Sequence, residues 1–138
     1  MTYVIEQHPT LPLLVTTFSG YVDADEFVRW NTELLARASA LGLSHSYVLM
    51  DIRQADTDFA AIVQGLTRMS QAVQQTPNAI ETFFAFLGSH PMARLSVDMM
   101  RQPQYGGFDV PIFLTYEDAV AAFEADMKLR QQRTQDAK

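Results

Sequence analysis

An α/β fold, a single domain with a five-stranded mixed sheet and four helices, is predicted here from three observations. Short apolar runs of strand length alternate with stretches whose apolar residues recur at steps of three and four. The run Thr82-Phe83-Phe84-Ala85-Phe86-Leu87 is apolar at every position after the first, the pattern of a strand covered on both faces, and it is expected to be central. Strands separated by helices must run parallel with right-handed crossovers. The chain has 138 residues, 48% of them hydrophobic, which is enough for one core and too short for two ordinary domains. Residues 1–138 therefore read as one unit.

The elements follow in order. Tyr3 to Gln7 reads as a strand, and His8-Pro9-Thr10-Leu11-Pro12 as a turn, because two prolines so close cannot sit inside a ladder. Leu13 to Phe18 returns as the second strand of a hairpin, the one antiparallel pair. Asp23-Ala24-Asp25-Glu26 places a carboxylate at a helix cap and a glutamate three residues on, both serving unpaired amides, ahead of a stripe of Phe27, Trp30, Leu34, Ala38 and Leu41. Gly42 ends that helix. Tyr47 to Ile52 is the third strand, and Phe59, Ile62, Leu66, Met69 and Val73 mark the second helix, broken by Pro77-Asn78.

Thr82 to Leu87 is the fourth strand. Pro91 opens a third helix, where its missing N–H costs nothing, with Met92, Leu95, Met99 and Met100 along it. Gln102 to Gly107, with two adjacent glycines, is expected to be a mobile loop. Val110 to Leu114 is the fifth strand. Thr115-Tyr116-Glu117-Asp118 caps a last helix carrying Ala119, Val120, Phe123 and Met127, and from about residue 130 to 138 the polar sequence is expected to fray. The order is β-β-α-β-α-β-α-β-α.

Composition excludes several functions. A net charge of -6 and no compact basic patch argue against nucleic acid or an anionic membrane as partner. No cysteine is present, so thiolate catalysis and zinc–thiolate sites are ruled out. No run approaches the ~18 apolar residues of a membrane span, and the start lacks a signal-peptide pattern, so a soluble cytoplasmic protein is expected. His8, His45 and His90 fall on separate connections without ligand spacing, so no metal site is expected. Ser89-His90 lacks a nucleophile elbow, and neighbours on an extended loop seldom aim at each other, so no catalytic residues are assigned and no enzyme is expected. Nothing implies a cofactor.

The segments "LLVTTFSGYVDADEF", "YVLMDIRQAD", "FFAFLGSHPMAR" and "VPIFLTYEDAVAAF" resemble, in order and spacing, those of small bacterial SpoIIAA-like proteins. That STAS group is itself similar to the CRAL-TRIO lipid carriers. The resemblance implies a non-catalytic regulatory or protein-interaction module, or alternatively a small apolar-ligand or lipid-binding protein. In anti-anti-sigma members the helix after the third strand begins Asp-Ser-Ser-Gly, with a phosphorylated serine. The matching stretch here is Asp56-Thr57-Asp58-Phe59, so the resemblance implies that the serine phosphoswitch is missing. Asp56 or Asp58 would cap the helix instead; a modified Thr57 is the competing possibility.

Carboxyl ends of parallel strands are where open α/β sheets bind ligands. That edge is expected to carry Asp51, with Ser19, Gly20 and Tyr21 after the second strand, Ser89 and His90 after the fourth, and Tyr116 after the fifth. Asp51, Ser89, His90 and Tyr116 are the candidate cleft. Either Asp51 orients His90 or a ligand there, or it accepts backbone amides of adjacent loops and His90 faces solvent. Met92, Met99 and Tyr105 are the candidate interface of a homodimer, with an inward-folded pocket as the competing outcome.

Overall fold

The computed structural model describes residues 3–42, 45–74, 81–105 and 107–136. Strands β1 (Tyr3–Gln7), β2 (Leu13–Tyr21), β3 (His45–Asp56), β4 (Glu81–Leu87) and β5 (Ile112–Phe113) form one sheet in chain order. The β1–β2 pair is an antiparallel hairpin, and β2, β3, β4 and β5 run parallel. Between and after them lie helices α1 (Ala24–Ala40), α2 (Phe59–Gln74), α3 (Pro91–Met100) and α4 (Tyr116–Asp136). A five-stranded mixed sheet with four helices in this order is the fold that the periodicity predicts.

Crossovers of one hand that advance in one direction along a sheet keep their helices on one face. Accordingly α1, α2 and α3 share a face, and α4, which follows the last strand, takes the other. Side chains alternate across β3: Val48 and Met50 join Trp30, Leu34, Val97 and Met100 in one core, while Tyr47 and Leu49 join Ala119 and Phe123 of α4 in a second. Phe18 meets Trp30 edge-on at 5.3 Å in the first, and Tyr47 meets Phe123 at 5.2 Å in the second.

Helix starts are set by side-chain caps, each contributing about 1 kcal/mol. Asp23 accepts the amide of Glu26 at 2.9 Å, Asp58 that of Ala61 at 2.8 Å, His90 that of Met92 at 3.0 Å through Nδ1, and Thr115 that of Asp118 at 3.2 Å. The reciprocal half of a capping box on α1 is missing, for Glu26 Oε2 is buried without a hydrogen-bond partner.

Several expectations are corrected. β2 and β3 run on to Tyr21 and Asp56, because Ser19, Gly20 and Tyr21 pair with Gln54, Ala55 and Asp56 beyond a one-residue bulge in β3. Ser19, Gly20 and Tyr21 are thus strand, not loop. The central strand is β3; β4 is next to the edge, since β5 has two residues and pairs only with Phe86 and Leu87. Pro111 limits β5 by removing a ladder donor, though its carbonyl still accepts Phe86 N–H.

Phe59 opens α2 but is exposed, since Ile62 and Leu66 carry the packed stripe. The segment after α3 contains a 3-10 turn, Pro103–Tyr105, and Tyr105 N–H and Gly107 N–H both donate to the Gln102 carbonyl. α4 spans Tyr116–Asp136, and within it Arg130 bonds Asp126 at 2.9 Å and covers the Phe83 ring at 3.9 Å. The Pro77-Asn78 break and the side chain of Val73 lie outside the described residues.

Candidate functional site

Small side chains leave the sheet face under α1, α2 and α3 incompletely filled. A cavity of about 180 Å³ lies there. Its floor is Phe18 of β2, Met50 and Ile52 of β3, and Phe84 and Phe86 of β4; α1 contributes Phe27, Trp30 and Asn31. Ile62, Leu66 and Met69 of α2 face Met92 and Met100 of α3, and Tyr105 and Phe108 close one end. Ala55, Ser70, Ala93 and Ser96 are among the small residues of its wall, and small side chains leave space that larger ones would occupy. A cavity of about 150 Å³ lined by apolar side chains accommodates a benzene molecule, which sets the scale.

The polar groups on the walls are largely committed to the protein. Thr57 donates its hydroxyl to the Val22 carbonyl at 2.8 Å, Ser96 to the Met92 carbonyl at 2.8 Å, and Trp30 Nε1 to Thr16 Oγ1 at 2.8 Å. His90 Nδ1 accepts the Met92 amide, which puts the imidazole proton on Nε2, 3.3 Å from Asp56 Oδ1. Asn31 differs. It is 6% exposed and lies on the cavity wall, and its side-chain amide makes no hydrogen bond among the described residues.

The sequence-derived cleft divides between the two faces of the sheet. Asp51 lies within β3 and shares the α4 side with Tyr47 and Leu49. Its Oδ1 accepts Arg53 N–H at 3.1 Å and Arg53 Nε at 3.0 Å, and its Oδ2 accepts the guanidinium at 2.8 Å. Burial pushes the Asp51 pKa up, but the bonds and charge of Arg53 outweigh burial and hold it below the usual carboxylate value. Its backbone bond is therefore within its own strand, and His90 meets Asp56 instead.

Tyr116 packs against the α4-side core, and Ser89 is exposed. Of the candidate interface, Met92 and Tyr105 line the cavity and Met99 is 8% exposed. Met92 and Tyr105 are half-buried there. Sequence reasoning passed over Asn31. Its trace was a polar residue four positions after Phe27 and three before Leu34, inside the apolar stripe of α1.

Among the described residues no three His, Asp or Glu side chains converge as a metal would require, and no helix is long and apolar enough to cross a membrane.

No protein-family model and no curated protein matches the sequence. Solved structures do match. An anti-sigma factor antagonist from Mycobacterium paratuberculosis superposes with a TM-score of 0.51 at 16% identity, over 88% of this chain and 92% of that one. An uncharacterized protein with a SpoIIAA-like fold from Shewanella loihica gives a TM-score of 0.56 at 12% identity, over 86% of this chain and 90% of that one. The chain has a SpoIIAA-like fold.

Proposed function

We propose that this chain is a non-catalytic binding module that takes a small apolar molecule between α1, α2, α3 and the sheet. The cavity carries this reading: about 180 Å³ of space walled by aromatic and methionine side chains, in a protein with a complete core on the opposite face. Methionines suit such a wall because their unbranched, polarizable chains adapt to an occupant. A ligand that binds the folded state alone raises the melting temperature in proportion to its saturation. Native mass spectrometry of the purified protein and melting curves with toluene, ethylbenzene and p-cresol test it. A bare polypeptide mass together with no shift from any of the three would reject it.

A second reading, a regulatory protein-interaction module, is favoured by a different surface. Tyr21 is 51% and Phe59 58% exposed, on either side of Asp58, and Tyr21 donates its hydroxyl to Asp58 Oδ2 at 2.6 Å. The likeness to an anti-sigma factor antagonist supports a protein partner of some kind. This module would work without a serine phosphoswitch, since Thr57 is engaged by Val22 and flanked by two carboxylates that repel a phosphate. A second copy of the chain is the simplest occupant. A dimer mass by light scattering, abolished by Phe59→Asp, would support self-pairing at this edge, and a monomer mass at micromolar concentration would exclude it.

A further inference from the structure

We infer that Asn31 is the polar anchor of the cavity, and that its ligand is a compact neutral molecule: one aromatic ring with a single hydrogen-bonding group, of the class of simple phenols. The inference rests on the cavity being a ligand site, as proposed above.

An amide on the packed stripe of a helix with no protein partner relies on water or a ligand for its hydrogen bonds, and the Asn31 amide, unlike Glu26 Oε2 and Ser46 Oγ, keeps some contact with solvent. Asn31 is 6% exposed, lies on the cavity wall and has no hydrogen bond to its side chain among the described residues. Its neighbour Trp30 shows the usual solution, with the indole N–H bonded to Thr16 at 2.8 Å. The Asn31 amide offers both a donor and an acceptor to whatever fills the space. A hydroxyl satisfies either.

The charge on the walls sets the ligand's charge. Among the described residues no lysine or arginine lines the cavity. Among the described wall residues Asp56 is the one carboxylic side chain, and its Oδ1 already takes the Thr57 amide at 2.9 Å and His90 Nε2 at 3.3 Å. A carboxylate or phosphate brought inside would meet no cation and one anion, so neutral ligands are selected. The space suits a single ring, because about 180 Å³ is little more than the roughly 150 Å³ that accommodates benzene. The rings of Phe18, Phe27, Trp30, Phe84 and Phe86 offer edges and faces to an aromatic occupant.

The experiment compares p-cresol, toluene and benzoate by titration calorimetry on the full chain and on Asn31→Leu, a replacement of the same branched shape that cannot hydrogen-bond. The wild type is expected to bind p-cresol and toluene and to leave benzoate unbound. In Asn31→Leu, p-cresol is expected to lose about tenfold in affinity, the effect of one hydrogen bond, while toluene holds or gains. If both neutral probes bind and the p-cresol affinity is unchanged in the variant, the anchor is refuted and the cavity reading stands. If benzoate binds as well as p-cresol, the neutral class is refuted. If no probe binds the wild type, the cavity reading falls and the anchor with it. Should Asn31→Leu fail to fold, Asn31→Ala supports the same comparison.

Discussion

Trp30 donates its indole N–H to Thr16 Oγ1 at 2.8 Å, a bond joining α1 to β2 with both residues removed from water. Thr16 lies between Leu14 and Phe18 on the same face of the strand, where an aliphatic side chain would otherwise belong. Thr16→Val preserves the shape and leaves a buried donor unpaired, which costs about 1–3 kcal/mol. Urea unfolding followed by emission of Trp30, the only tryptophan, measures it. An unchanged midpoint would mean that the indole finds another acceptor.

Acid is expected to weaken the fold through Asp51 and Asp126. In both, burial raises the pKa; for Asp51 the Arg53 contacts, and for Asp126 the Tyr47 hydroxyl and Arg130, bring it below the ordinary value. A depressed folded pKa gives stability that is complete above the unfolded value, about 3.9, and is lost as pH falls through the folded one. Stability should therefore be level from neutral to about pH 5 and fall below about pH 4. Asp51→Asn should cost about 1 kcal/mol at pH 7, a modest figure because the Arg53 side chain is half exposed, and should cost less in strong acid. Denaturant midpoints of both proteins across this range decide the matter: an equal deficit at every pH would remove Asp51 from the acid response.

Gly88 has φ +135°, and a Cβ there would stand 3.2 Å from Ile52 Cγ1 and 3.4 Å from Arg53. Gly88→Ala combines a conformation that L-residues avoid with a crowded neighbour, for an expected loss of about 1–3 kcal/mol. Gly20, at φ +72° with open space around it, is the control, and Gly20→Asn should cost well under half as much. Similar melting temperatures for the two variants would contradict the crowding at Gly88.

Thr57 should resist phosphorylation. Its hydroxyl donates to Val22, and Asp56 and Asp58 flank it. Incubation with a serine kinase of the anti-sigma type is expected to leave the protein unmodified by peptide mass spectrometry. Stoichiometric phosphate on Thr57 would establish a switch at this position.

The order of strands and helices was legible in the sequence because each element states its own period, and the caps at Asp23 and Asp58 because a carboxylate before an apolar stripe serves local amides. Strand ends were less legible. Gln54, Ala55 and Asp56 belong to β3 only because Ser19, Gly20 and Tyr21 lie beside them, and no local pattern in "RQAD" carries that partnership. The misplaced end is what set Asp51 on the ligand edge; its parity with Tyr47 and Leu49 assigns it to the α4 side instead. The cavity is a still more distributed property. It arises where Ala55, Ser70, Ala93 and Ser96 from three separate segments come together, and only the polar Asn31 within an apolar stripe left a trace of it in one dimension.

The placement of α4 alone on its face has a consequence for synthesis. Every other element of the fold precedes Tyr116, so a ribosome that has finished β5 has already supplied all the parts of the cavity-bearing face. Leu13, Tyr47, Leu49, Ala85 and Leu87 at that moment have no helix over them. Their cover is the 21 residues of Tyr116–Asp136, translated in about 1–4 s at typical elongation rates. Until that helix is in place, the apolar side of the sheet is open to association with other chains.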